Sequence, residues 1–214
     1  MKLKKIASLA LAGVMAVSML AGCSGNGSNN NNNSTEDPIT PTVRSASSTV
    51  YEALNADTRL SVTSAVTNST MDQALEDTLE TYWASDHFGD WYNGNNGAVQ
   101  PFAGDVIENN VAYALKAKTV FANSFVDTKG AVTVVKVYAV GDGLSEKGAL
   151  TAVAAQLDND LAGKMPANGV KDGVKYEYDY NIAASVASED TTWLGDTYTL
   201  RIVAVAVTQT ATEV

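Results

Sequence analysis

The sequence has one cysteine, Cys23, and one histidine, His87, among its 214 residues. A single cysteine cannot form a disulfide within the chain, so the folded part must be stable through its core alone. Zinc sites usually need several cysteine or histidine ligands, and the sequence does not supply them. We find no nucleophile signature such as G-x-S-x-G and no cofactor motif, and we therefore expect no metal ion and no cofactor.

Positive charge is also scarce, because 14 lysines and arginines stand against 24 aspartates and glutamates, and the net charge is −10. A nucleic acid would repel such a chain, as would an anionic lipid surface. The sequence therefore argues against nucleic acid as a partner.

No apolar run is long enough for a comfortable membrane span, which needs roughly 20 residues. The longest run covers residues 6–20 and has no charged residue. Three lysines, Lys2, Lys4 and Lys5, precede it. A basic start followed by a short apolar segment is the layout of a secretory signal peptide.

The apolar segment ends in Leu20-Ala21-Gly22-Cys23. This tetrad resembles the lipobox of bacterial lipoprotein signal peptides, and the resemblance covers residues 1–23 only. It implies that the Cys23 thiol receives a diacylglycerol, that cleavage leaves this cysteine at the N-terminus, and that acyl chains hold the protein at the cell membrane, outside the cytoplasm. Removal of residues 1–22, which hold three lysines and no acidic residue, changes the net charge to −13.

The next part of the chain, residues 23–42, is rich in Asn, Ser and Gly and includes five consecutive asparagines at 29–33. Such a segment lacks the apolar residues that a folded element needs, and it is typical of a flexible tether. We therefore predict a signal peptide at 1–22, a tether at 23–42 and a single folded domain at 43–214.

The first half of that domain reads as helices. One is predicted over residues 45–56, and Ser69 is a candidate N-cap for a second, in which apolar residues from Met71 to Trp83 recur every three or four positions. A third is predicted to begin at Asp105, with Glu108 three residues later as in a capping box.

The second half changes to strands, with one further helix that Ser145 is predicted to cap. The apolar residues of this helix share one face and are predicted to be buried: Leu150, Val153, Ala154, Leu157 and Leu161. Residues 131–140 are rich in valine, and residues 174–186 alternate between apolar and polar side chains, which predicts a strand with one solvated face. Residues 188–195 are predicted to form a loop before a final strand over 196–208, and the last two strands are predicted to form a long antiparallel hairpin. The sequence thus predicts an α+β domain in which N-terminal helices precede a β-α-β-β order, with a small, mostly antiparallel sheet covered by helices on one face.

The densest group of candidate ligand-binding residues lies between residues 82 and 102, where aromatic side chains stand among Asp, Asn and Gly. Aromatic rings can cover the apolar face of a sugar while polar groups bind its hydroxyls, although large aromatics are also commonly part of a core. The candidates are Trp83, Asp86, His87, Asp90, Trp91 and Tyr92.

These observations favour a non-catalytic surface module that binds a glycan, a wall component or a protein partner. Two alternatives stay open. One is an envelope hydrolase that uses Asp86 and His87, or the carboxylates of Glu177 and Asp179, which share the polar face of a predicted strand. The other is a structural protein of the cell envelope. The sequence favours a role without catalysis.

Overall fold

A computed structural model describes residues 42–81, 99–101, 106–122, 124–125, 129–193 and 195–214. The chain divides into a segment Met1–Asp37 and a compact unit Pro38–Val214, and every described residue belongs to the second. The predicted signal peptide, the lipidation site Cys23 and nearly all of the predicted tether lie outside the described residues.

The described part mixes helices with strands, and the α+β class is confirmed. Its elements are, in order, β1 (Thr42–Ser45), α1 (Ser47–Ala53), α2 (Ala56–Ser61), β2 (Val62–Ala65), α3 (Ser69–Thr81), β3 (Val99–Pro101), α4 (Val106–Leu115), β4 (Ala131–Val140), α5 (Glu146–Leu161), β5 (Asn168–Lys171), β6 (Val174–Trp193) and β7 (Asp196–Glu213). The prediction of helices before any strand is wrong, because β1 opens the described part and β2 and β3 alternate with the helices. These strands have three or four residues, which is too short for a periodic signal.

All seven of these strands belong to one sheet, whose main order is β1-β6-β7-β4-β3. The two longest strands, β6 and β7, form the predicted antiparallel hairpin, which is paired from Tyr176 with Glu213 to Trp193 with Asp196. The predicted loop at 188–195 is wrong, because β6 continues in register as far as Trp193. Along its other edge, β6 pairs in turn with β5, β2 and β1, of which only β2 is parallel to it.

Helices cover both faces of the sheet, so the prediction of cover on one face is wrong. Helices α1 and α5 pack on one face and form a core with Leu157, Ile182 and Val203. Helices α3 and α4 pack on the opposite face, where the core includes Leu75 and Ile202. Each central strand therefore contributes side chains to two separate cores.

Strand β6 shows why the prediction of a single buried face was incomplete. Up to Asp179 it alternates as predicted, with buried tyrosines opposite the exposed Glu177 and Asp179. Over residues 182–187 both faces are buried, and Ala183 and Ala187 belong to the core beneath α3 and α4, while Ser185 donates a hydrogen bond to Asp72 of α3. Small side chains on this face allow the helices to approach closely, and their low hydrophobicity hid the burial from the sequence pattern.

Asparagine side chains set two of the helix boundaries. The predicted single helix over residues 45–56 is wrong, because α1 ends at Ala53 and a second helix, α2, begins at Ala56. The side chain of Asn55 accepts a hydrogen bond from Thr58 N at 2.8 Å as the N-cap of α2. At α3 the side chain of Asn68, and not that of Ser69, accepts from Met71 N at 3.1 Å. The predicted cap of α5 is confirmed, since Ser145 Oγ accepts from Gly148 N at 3.1 Å.

Candidate functional site

The structure does not test the six candidates of the aromatic segment. Trp83, Asp86, His87, Asp90, Trp91 and Tyr92 all lie within residues 82–98, outside the described residues. The described chain resumes at Val99, the first residue of β3.

The second predicted pair, Glu177 and Asp179, lies on β6 as expected. Both side chains are exposed and point to the same face, opposite the buried rings of Tyr176, Tyr178 and Tyr180. The structure therefore places these two carboxylates on one solvated face of the strand. The same placement is expected of acidic residues that only keep this face soluble.

A cavity of about 280 Å³ opens between α2 and the C-terminal end of α5. Its wall combines polar side chains with three apolar ones. The lining residues are Asn55, Asp57, Thr58, Ser61, Asp158, Leu161, Ala162, Gly163 and Met165. Because its volume is at the lower end of the range for small-molecule sites, roughly 300–1,000 Å³, the cavity suits one small chemical group.

The carboxylate of Asp158 links the α5 side of this cavity to the α2 side. Its Oδ2 accepts a hydrogen bond from the backbone N–H of Asn55 at 3.0 Å, which connects α5 to the start of α2. Its Oδ1 is buried, and no described residue donates a hydrogen bond to it. A buried acceptor without a donor costs about 1–3 kcal/mol, and such atoms in folded proteins commonly indicate a water molecule or a ligand.

A buried tyrosine positions the loop that closes the cavity. The loop follows α5 through Ala162, Gly163 and Met165, and the Tyr180 hydroxyl donates to the Pro166 carbonyl at 2.8 Å. The amide Nε2 of Gln209 in turn donates to the Tyr180 oxygen at 2.7 Å. Burial raises the pKa of Tyr180 to about 12, although the hydrogen bond from Gln209 opposes this shift. Tyr180 therefore stays a neutral donor at physiological pH.

The electrostatic character of the cavity is negative. Asp57 and Asp158 both line it, and no lysine, arginine or histidine is among its lining residues. The C-terminal end of α5, at Leu161, adds a partial negative charge to the cavity wall. The last turn of α5 contains no basic residue that would offset this charge. The N-terminal end of the short helix α2 adds a partial positive charge, which the Asp57 carboxylate in its first turn offsets.

A second unsatisfied polar group lies at another place on the sheet. Arg201 of β7 pairs with Ser188 of β6, and the Arg201 Nε and Nη1 atoms and the Ser188 Oγ atom are buried without a hydrogen-bond partner among the described residues. Burial lowers the pKa of Arg201, while Asp142 and Asp190 act against this shift. Because these two carboxylates already act on the guanidinium, we take the cavity as the better candidate for a ligand site.

Sequence reasoning missed the cavity, although one signal for it was present. Asp158 and Asp160 lie in the last turn of α5, where the helix dipole disfavours acidic side chains. Asp160 is explained by the Tyr138 hydroxyl, which donates to its Oδ2 at 2.9 Å. Asp158 accepts from the Asn55 N–H, and its unfavourable placement in the last turn was the sequence signal that this carboxylate has a specific partner.

The described residues contain no group of three or more His, Cys, Asp or Glu side chains that could hold a metal ion. Among the same residues, no helix is both long enough and apolar enough to cross a membrane. No protein-family model, no curated protein and no solved structure matches the chain.

Proposed function

We propose that this protein is a lipid-anchored extracytoplasmic module that binds a small polar group of an envelope component in the cavity between α2 and α5, without catalysis. The cavity is the observation that carries the proposal. It combines carboxylate, hydroxyl and amide groups with an apolar wall of Leu161, Ala162 and Met165, so a ligand with both a polar and an apolar part would be matched on each side.

The position of the cavity agrees with a tethered module. The described domain begins at Thr42, which pairs with Ser188 of β6. The cavity lies near Tyr180 of the same strand, because Tyr180 holds the adjoining loop. Eight residues of strand separate these points, a distance of about 26 Å at 3.3 Å per residue. The described chain thus enters the sheet at a point well separated along β6 from the proposed ligand site.

The hydrolase alternative gains no support from the described residues. Glu177 and Asp179 are exposed on a flat strand face, and neither lines the cavity. A glycosidase needs two carboxyl groups on opposite sides of one bond, and two neighbours on a single strand face do not provide that arrangement. Catalysis by Asp86 and His87 stays an untested prediction.

Membrane anchoring is tested by the Cys23→Ala variant of the full chain. We expect the unmodified protein to fractionate with membranes and to incorporate labelled palmitate, and the variant to lose the label. A Cys23→Ala variant that keeps the label would contradict anchoring through this residue.

Ligand binding is tested by retention of the full chain, in nonionic detergent, on purified peptidoglycan. The variant Ala162→Trp places a large side chain at the cavity wall, whereas Val120→Trp adds the same ring at an exposed position that does not line the cavity. We expect the first variant to weaken retention at least tenfold and the second to leave it unchanged. Equal retention of both variants would refute the cavity as the binding site, and Trp91→Ala would then test the aromatic segment.

A further inference from the structure

We infer that the cavity between α2 and α5 binds a primary ammonium group on an alkyl stem, such as the side chain of a lysine in a peptide. The inference rests on the proposed function, since it specifies what the same cavity would bind. It follows from the charge, the hydrogen-bonding needs and the shape of the cavity, which all favour the same chemical class of ligand.

The charge of the cavity favours a cation. Two carboxylates, Asp57 and Asp158, line it together with the negative end of α5, and none of its lining residues is basic. A neutral or anionic ligand would leave this charge unopposed, whereas an ammonium group would offset one of the two negative charges. The excess of acidic residues in the whole chain adds to the attraction of cations toward the domain.

The hydrogen-bonding state of Asp158 favours a donor. Only its Oδ2 has a donor, the Asn55 N–H, while its buried Oδ1 receives no hydrogen bond from the described residues. An ammonium group carries three donors and no acceptor. Within the cavity it can donate to the carboxylates of Asp57 and Asp158 and to the hydroxyl groups of Thr58 and Ser61, since all four residues line the wall.

The shape of the cavity favours an organic cation over a bare metal ion. A volume of about 280 Å³ exceeds what one ion occupies, and the described residues offer no cluster of three metal-ligating side chains. Leu161, Ala162 and Met165 form an apolar wall beside the carboxylates. A lysine side chain has the matching construction, because its methylene stem packs on apolar surface while its charged end stays among polar groups.

The experiment uses the full chain in nonionic detergent, with ¹³C-labelled methionine methyl groups observed by NMR. Met165 lines the cavity. Met71 of α3 is buried in the core on the opposite face of the sheet and serves as an internal reference. The probe is Nα-acetyl-lysine methylamide, and the matched probe is Nα-acetyl-norleucine methylamide, which has a similar stem without the ammonium group. We expect only the lysine compound to move the Met165 signal, and the Met71 signal to stay in place.

Two variants locate the interaction. Asp158→Asn removes the charge but keeps an oxygen that can accept from the Asn55 N–H, so we expect the fold to persist. We expect the Asp158→Asn variant to bind the lysine compound at least tenfold more weakly than the unmodified protein does. The control Glu80→Gln removes an exposed carboxylate of α3 and should leave the affinity unchanged. A Met71 signal at its native position in Asp158→Asn verifies that the variant is folded.

Three results would overturn the inference. These are equal binding of the two probes, unchanged affinity in Asp158→Asn, or a Met165 signal that responds to Ca²⁺ and not to the amine. If the amine fails while Ala162→Trp still abolishes retention on peptidoglycan, the cavity binds another group and the proposed function stands. If that variant has no effect either, both proposals fail.

Discussion

At the scale of single residues, Gly169 shows how tertiary contact overrides a local signal. Asn168-Gly169 is a typical turn sequence, but the pair lies in strand β5, and the turn is formed by Asp172 and Gly173, both with positive φ. A Cβ atom at Gly169 would collide with the ring of Tyr178 on β6. Glycine is therefore required here for close packing.

We expect Gly169→Ala to lower the free energy of unfolding by about 1–3 kcal/mol, because the added methyl group must displace a buried ring. Val170→Ala is the control, since the Val170 side chain is exposed on the same short strand. Urea unfolding measures both variants. Equal midpoints for the two would show that the Tyr178 ring moves aside at little cost.

The buried Tyr180 predicts a dependence of stability on alkaline pH. Burial raises its pKa from the ordinary value of 10.0 to about 12 in the folded protein. Between these values the folded chain keeps a proton that the unfolded chain loses, so the free energy of unfolding falls as the pH rises. This contribution is complete below pH 10 and is lost as the pH passes about 12.

Tyr180→Phe removes this titration, so its stability should fall less steeply than that of the unmodified protein between pH 10 and 12. The variant also loses the hydrogen bond to Pro166, and its stability should already be lower at neutral pH. Tyr113→Phe is the matched control, because the Tyr113 side chain is exposed. Parallel pH curves for Tyr180→Phe and the unmodified protein, measured by urea unfolding, would contradict the prediction.

At the scale of elements, the length of a helix or strand determined whether the sequence could predict it. An element of ten or more residues is long enough for a periodic pattern. The sequence located several elements of this length, namely the helices α3 and α5 and the strands β4, β6 and β7. Strands β1, β2 and β5 have four residues and exist because the long edge of β6 offers unpaired backbone groups. Their pairing is a tertiary event that local propensity does not record.

The outer edge of β4 is likewise paired by several short and separate segments. Lys118 pairs with the backbone of Thr133 and Val135, and β3 pairs from Tyr138 to Val140. Between them the buried carboxylate of Glu108 accepts from Val137 N at 3.4 Å. The same oxygen lies 3.4 Å from Lys136 Nζ, with side-chain exposures of 1% for Glu108 and 14% for Lys136.

Because this ion pair is mostly buried, loss of one partner should be costly. We expect Lys136→Met to lower the free energy of unfolding by about 3–5 kcal/mol, since it leaves the Glu108 carboxylate buried without its cation. The double variant Lys136→Met with Glu108→Gln should recover part of this loss, because glutamine can still accept from Val137 N without a charge. Urea unfolding of both variants tests this, and a double variant no more stable than Lys136→Met would disprove it.

At the scale of the whole molecule, the ligand cavity depends on contacts that no local pattern contains. Asn55 and Asp158 are 103 positions apart, and their hydrogen bond brings α2 against the end of α5. The sequence predicted that Ser145 starts α5 and that its apolar stripe is buried, and both were confirmed. It could not predict which element would meet the last turn of that helix, so the α2 side of the cavity was not predictable even though the placement of Asp158 was a signal for the α5 side.

The two cores share one sheet, which predicts that the domain unfolds as a single cooperative unit. Neighbouring residues of β7, Ile202 and Val203, face opposite cores, so the loss of packing on either face exposes apolar side chains of the strand that both cores share. We expect Leu157→Ala in one core and Leu75→Ala in the other each to lower the free energy of unfolding by about 2–5 kcal/mol.

The two core variants should each shift the whole transition, with circular dichroism and fluorescence giving the same midpoint in urea. The control Leu60→Ala removes the same atoms from a side chain that is 81% exposed, and it should have little effect. A transition that splits into two steps in either variant would mean that one layer of helices can detach from an intact sheet. The long β6–β7 hairpin makes that outcome unfavourable, because its buried side chains alternate between the two faces over residues 182–187 of β6 and residues 200–207 of β7.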